Sequence, residues 1–273
     1  MQFERTKDGY EAVVIESMVF ALVPQGEGKV TLKYGWTSKA PSECEAAGFQ
    51  THSFHPDEAA AKAEIEDIRK HHEQVRALDR KPGMGGQRTP WGVADHKKTY
   101  AEGVESYDTA GHGGFKLDRR HNAQVDARWR SKGGWYEEDS EWAIVAATFP
   151  HLFTERERRL ADANLRNYYP DEYEAINGVV LGEHESILKA QRAFSERHKD
   201  DYVVIAAVGL DDGTVRCWAT IGGVRQRHDG PPVEEKEFLV PSDEYKAGRN
   251  GFVIDPARHP EYQPAPEPVS LGR

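Results

Sequence analysis

The chain has 273 residues, of which 38% are hydrophobic and 30% charged, with a formal net charge of -10. Its length is that of about two domains at roughly 150 residues each, and its acidity argues against sequence-independent nucleic-acid binding, which draws its affinity from lysine and arginine neutralising phosphates. No apolar run approaches the ~18 residues of a membrane span, and Met1-Gln2-Phe3-Glu4-Arg5 lacks the basic-then-apolar order of a signal peptide, so a cytoplasmic protein without membrane contact is expected.

Residues 10 to 23 and 29 to 36 are rich in β-branched and aromatic types, and Pro24-Gln25-Gly26-Glu27-Gly28 between them predicts an N-terminal hairpin. From His55 to about Arg80 the spacing predicts one long helix, with Ile65, Ile68, Val75 and Leu78 on one stripe and Glu58/Lys62 and Glu66/Lys70 as i,i+4 pairs. Pro82-Gly83-Met84-Gly85-Gly86 breaks it and serves as the predicted domain boundary, giving units over 1–81 and 87–255. Short strands are expected over 103–107 and 114–117. A buried helix is expected over 142–149, its start complemented by Glu137, Glu138 and Asp139 and its end set by Pro150.

Thr154 with Glu157 has the capping-box pattern of a helix running to about Tyr168, and Pro170 opens another that Gly178 ends. A further helix over 183–198 precedes a hairpin, 202–210 with 214–221, turning at Asp211-Asp212-Gly213. Residues 237–240 and 251–254 are expected as edge strands and 256–273 as a disordered, proline-rich tail. The predicted class is α+β with antiparallel sheets and packed helices. Cys44 and Cys217 stand far apart without a Cys-x-x-Cys and are expected as reduced thiols.

Chemistry concentrates between Trp91 and Trp142. Gly111-His112-Gly113-Gly114 predicts a turn in which backbone N–H groups converge beside an imidazole. Without a Gly-x-Ser-x-Gly elbow it is no α/β-hydrolase oxyanion loop. Trp135-Tyr136-Glu137-Glu138-Asp139 offers an aromatic platform beside a general base. His112, Glu138 and Asp139 are therefore the candidate catalytic residues. Trp91, Gly113, Gly114, Arg119, Asn122, Trp135, Tyr136 and Glu137 are the candidate binding residues. His96, His112, His121 and His151 beside Asp95 and the acidic cluster have the composition of a two-histidine, one-carboxylate centre but not its spacing. They are read as scattered surface histidines, and no metal ligand set or cofactor is assigned. The basic stretch from Lys116 to Lys132 is interspersed with carboxylates and is read as a solvated face.

Thr89-Pro90-Trp91-Gly92, Gly111-His112-Gly113-Gly114-Phe115-Lys116-Leu117 and Gly134-Trp135-Tyr136-Glu137-Glu138-Asp139-Ser140-Glu141-Trp142 resemble the core of an uncharacterised domain carried by phage, plasmid and other mobile-element proteins. The resemblance covers about 89 to 175. It implies a mobile-element setting, where counter-defence against restriction or CRISPR systems is a frequent role of small accessory proteins, and it carries no reaction with it. The expected function is an accessory protein that binds a bacterial host protein through its acidic surface. The alternative is a hydrolase or lyase using His112 with Glu138, with or without metal assistance. Oligomeric state is left open.

Overall fold

Residues 4–55 form an antiparallel meander in the computed structural model, which describes residues 1–226 and 229–263. Its strands β1 (Glu4–Arg5), β2 (Glu11–Ile15), β3 (Met18–Pro24), β4 (Val30–Trp36) and β5 (Gln50–His55) lie side by side in chain order. The apolar run over 10–23, expected as one strand, is two. Glu16 and Ser17 interrupt it, Ile15 pairs with Met18, and Glu16 takes the left-handed φ of 54° that a two-residue hairpin loop requires. The predicted turn after Pro24 joins β3 to β4.

Helix α1 (Glu58–Ala77) starts where the Asp57 side chain accepts a 2.7 Å hydrogen bond from the Ala60 N–H. It lays Ala61, Ile65 and Ile68 on Val13, Ile15, Phe20, Leu22 and Leu32, closing an aliphatic core. Lys62 pairs with Glu58 at 2.6 Å as its spacing predicts, whereas Glu66 pairs with Arg69.

The next strands are β6 (Lys81–Met84), the ribbon β7 (Arg88–Thr89) and β8 (Gly92–Val93), then β9 (His96–Ala101), β10 (Val104–Asp108), β11 (Gly113–Leu117) and β12 (Trp135–Glu137). Apart from the ribbon they make a central antiparallel sheet in the order β12-β11-β10-β9-β6. The expected boundary at 82–86 thus supplies an edge strand, a place where Pro82 loses no ladder hydrogen bond.

Helix α2 (Arg119–Asn122) follows β11, and α3 (Trp142–Thr148) packs on β11 and β12. Tyr100, Phe115, Trp142 and Phe153 form the aromatic layer on that side, with Tyr100 and Phe115 ring centres 4.9 Å apart. Helix α4 (Glu155–Tyr168) opens with a true capping box. The Thr154 N–H donates to Glu157 Oε2 at 2.7 Å, and the Glu157 N–H donates to Thr154 Oγ1 at 3.1 Å.

Glu157 also receives Arg80 at 2.6 Å, in a pair whose side chains are 6% and 19% exposed, and the Arg80 guanidinium stacks on Tyr100. Burial raises the Glu157 carboxyl pKa, but Arg80 and the Thr154 N–H outweigh it and hold the carboxyl below the ordinary range. Arg156 reaches back to Glu64 and Asp67 of α1.

Two compact units result, Met1–Ala163 and Asn164–Arg273, so the division falls within α4. In the second unit α5 (Pro170–Asn177) ends at Gly178 in the left-handed region, and α6 (Ile187–Arg197) is capped by Ser186. Strands β13 (Tyr202–Gly209), β14 (Thr214–Ile221) and β15 (Glu235–Pro241) form one antiparallel sheet over Val215, Cys217, Ala219, Phe238 and Val240. Both cysteines are free and buried, and burial pushes the Cys217 thiol up to about 11.

Residues 251–254 bond to the Tyr202 end of β13 by an isolated bridge rather than as a strand. Of the tail expected over 256–273, residues 264–273 lie outside the described residues. Residues 256–263 fold back on β15, with the Tyr262 N–H donating to the Glu237 carbonyl at 2.8 Å and His259 buried. The architecture is α+β with antiparallel sheets. Among the described residues, no helix is long and apolar enough to cross a membrane.

Candidate functional site

Strand alternation gives the central sheet two chemically different faces. Phe115 and Leu117 of β11 belong to the aromatic side, while Gly114 and Lys116 between them face outward. Register sets Tyr107 of β10 opposite Gly114, and sets Glu105 of β10 and Trp135 of β12 opposite Lys116. A tryptophan ring fills the space that Gly114 leaves. Trp91 lies where a Cβ on residue 114 would be, with the Tyr136 carbonyl closing the other side, so only glycine fits. Trp91 meets Trp135 edge to face at 5.7 Å, Tyr107 lies 5.6 Å from Trp135, and the Lys116 ammonium sits 4.9 Å from the Trp135 ring centre.

Beside the rings, Glu105 accepts from Lys97 at 2.7 Å and from the Tyr107 hydroxyl at 2.6 Å. Burial, then the neighbouring carboxylate, pushes the Tyr107 phenol up. Burial raises the Glu105 carboxyl, yet the hydrogen bonds from Lys97 and Tyr107 bring it below the ordinary range. Tyr107 is buried, whereas Trp91, Trp135, Lys97, Glu105 and Lys116 are half-buried.

At one end of this face, where β11 begins and β12 ends, His112, Glu137 and Glu138 come together. One potential ligand atom from each lies within 4.8 Å of the other two. The His112 backbone is fixed by Thr109, whose N–H donates to the His112 carbonyl at 2.9 Å and whose Oγ1 accepts the His112 N–H at 3.2 Å. Glu138 donates its N–H to the Gly113 carbonyl, and its carboxylate occupies the space a Cβ on residue 113 would need. Glu137 Oε2 accepts the Asp139 N–H at 2.8 Å and the Ser140 N–H at 3.3 Å. Glu137 Oε1 is buried without a hydrogen-bond partner, 3.8 Å from His112 Nδ1.

The predicted residues thus divide. His112, Glu137, Glu138, Trp91, Trp135, Gly113 and Gly114 are gathered at one corner, but the glycines are strand residues chosen for close packing, not a nest of N–H donors. Asp139 is exposed in the turn after β12. Tyr136, expected on the binding surface, is 0% exposed. Its hydroxyl donates to Asn122 Oδ1 at 2.6 Å and accepts the Ser131 N–H, while Asn122 Nδ2 donates to the Ser131 carbonyl. Tyr136 is therefore an internal brace rather than a contact for a ligand, and the half-buried Asn122 spends its amide on that brace. Arg119 is exposed at the far end of β11, roughly 13 Å of strand from Gly113, and does not join the corner. Trp142, expected buried, is half-buried. Helix α3 starts at Trp142 as expected, but the residue directly before it is Glu141, while Glu137, Glu138 and Asp139 end a strand and shape a turn.

Sequence reasoning did not single out Lys97, Glu105 and Tyr107. Their signal is the alternation of Lys97, Thr99, Glu105 and Tyr107 along β9 and β10, legible once the pairing is known.

Residues 85–199 match the model of a domain of unknown function, DUF7007. The matched stretch contains all three glycine- and tryptophan-bearing segments and the corner they build, and leaves out the first sheet, α1 and the β13–β15 sheet. No curated protein and no solved structure matches the chain.

Proposed function

We propose that the chain is a mobile-element accessory protein that acts by binding a bacterial protein through the outer face of its central sheet. The observation that carries this reading is the pairing of Trp91 and Trp135 on that face, half-buried and rimmed by Lys116 on one side and by Glu137 and Glu138 on the other. Tryptophans backed by rigid strands are the side chains on which binding energy concentrates, because they bury a large area with little rotamer entropy to lose. The acidic rim suits a partner that presents basic side chains around an apolar patch. Counter-defence is the setting that the mobile-element resemblance suggests for such a partner.

Site-specific photocrosslinking in bacterial cells tests it. A photoreactive residue at exposed Val93, two residues from Trp91, should give one discrete protein adduct that Trp135→Ala abolishes. The same probe at exposed Phe54 on the first sheet should not give that adduct. Identical adducts from both positions, or none at Val93, would refute the reading.

The convergence of His112 with Glu138 favours a second reading, hydrolase or lyase chemistry at the corner, with the imidazole as proton carrier and the carboxylates as base or ligands. Hydrolysis of a generic ester panel that His112→Ala eliminates without lowering Tm would support it. Activity surviving that substitution would remove it.

A further inference from the structure

We propose that His112, Glu137 and Glu138 form a binding site for one divalent transition-metal ion of the zinc or manganese class. The inference goes beyond partner binding and does not depend on turnover.

Four observations converge on it. First, donors ~2.0–2.2 Å from a common tetrahedral ion stand ~3.3–3.6 Å apart, so the three atoms, all within 4.8 Å of one another, need to close by no more than about 1.5 Å. His112, with its side chain 59% exposed, is free to make that adjustment. Second, Glu137 has one oxygen that makes no hydrogen bond. Its Oε2 is held by two backbone N–H groups, whereas Oε1 is buried without a hydrogen-bond partner and stands too far from His112 Nδ1 for a hydrogen bond. An orphaned buried carboxylate oxygen is unfavourable unless a cation completes it.

Third, among the described residues neither Glu137 nor Glu138 pairs with a lysine or arginine, although such pairs neutralise carboxylates in many other places. Two carboxylates at this separation repel by ~1 kcal/mol even in water, and a divalent ion relieves the repulsion and satisfies the orphan together. Fourth, the donors are held in place before any ion arrives. Thr109 fixes the His112 backbone, Gly113 lets the Glu138 carboxylate pack against its Cα, and Asp139 and Ser140 orient Glu137.

The donor set selects the class of ion. One imidazole with two carboxylates suits zinc or manganese, whereas calcium calls for six to eight oxygens. Three protein donors at an open corner leave coordination positions for water or for a partner's side chain, the pattern of a reactive rather than a structural centre.

Isothermal titration of the chelator-treated full chain with Mn2+ and Zn2+ in separate runs, with Ca2+ as a third, tests the site. The expected result is saturable binding of one equivalent of Mn2+ or Zn2+ with weaker Ca2+ binding. H112A and E138Q should each lower the affinity at least ~10-fold, since loss of even an outer-shell partner commonly has that effect. H151A, an exposed histidine outside the corner, should bind like the parent. Circular dichroism of the three variants should match the parent, so that weakened binding reports on ligands and not on folding. No saturable binding of either metal, or one-equivalent binding that survives both H112A and E138Q, overturns the proposal. Tighter Ca2+ than Mn2+ and Zn2+ binding would overturn the assignment of ion class.

Discussion

The two five-stranded sheets of the first unit are built to different ends. The first, β1 to β5, is an aliphatic surface sealed by α1, with Phe20, Leu32 and Ile65 at its centre, and its packing asks only for apolar volume at alternate positions. The central sheet spends its positions on particular contacts. Gly113 and Gly114 make room for a carboxylate and an indole, Tyr136 and Asn122 brace a loop from inside, and one strand end gathers His112, Glu137 and Glu138. A sheet that serves only as scaffold can exchange one aliphatic for another with little loss, whereas a sheet that carries a site keeps residues whose value lies in what they touch. Substitutions in the two should therefore fail in different ways.

The largest effects belong to the scaffold. Phe20→Ala should cost about 3–5 kcal/mol through lost burial and a cavity, read as a lower denaturation midpoint, and a loss below ~1 kcal/mol would mean that the first sheet is not the closed core described above. Arg80→Ala should cost a comparable ~3–5 kcal/mol, because it strands the largely buried Glu157 carboxylate without its partner.

The Arg80–Glu157 pair also sets a pH dependence. The folded-state pKa of Glu157 is depressed, so its contribution to stability is present above the pKa of an unfolded glutamate and is lost as pH falls through the folded value. Thermal scans from pH 7 down into the acid range should show Glu157→Gln less stable than the parent near neutrality, with the gap narrowing on acidification. A gap that widens as pH falls would reverse the sign and refute the assignment.

Much of the scaffold is legible in the sequence because its cues are local. Thr154 with Glu157 announces the start of α4, Asp211-Asp212-Gly213 the hairpin of β13 and β14, and the stripe of Ile65 and Ile68 the buried side of α1. The site is less legible because its cues are long-range. That Trp91 rests on Gly114, or that Glu137 and His112 meet, depends on β12 pairing with β11, and nothing in residues 135–137 alone distinguishes a short strand from the first turn of a helix. Read as a helix start, Tyr136 points outward; as the middle residue of a strand between Trp135 and Glu137, it turns inward and becomes fully buried. Arg119 and Asn122 are near His112 in sequence, but β11 carries them to its opposite end.

Smaller effects separate brace from site. Tyr136→Phe should cost about 1–3 kcal/mol, since it leaves the Asn122 amide oxygen and the Ser131 N–H without their partner, and equilibrium unfolding checks it. His112→Ala should change stability by no more than about 0.5 kcal/mol, as expected for an exposed side chain with no scaffold contact.

The central claim is that the paired tryptophans of the outer face carry partner binding, and the dissociation constant for the protein captured from Val93 tests it most directly. Measured with both proteins purified, Trp135→Ala should weaken binding by at least ~30-fold, the ~2 kcal/mol typical of an aromatic anchor, while Phe54→Ala on the first sheet leaves it unchanged. Equal affinities for the parent and Trp135→Ala, with both folded, would contradict the account.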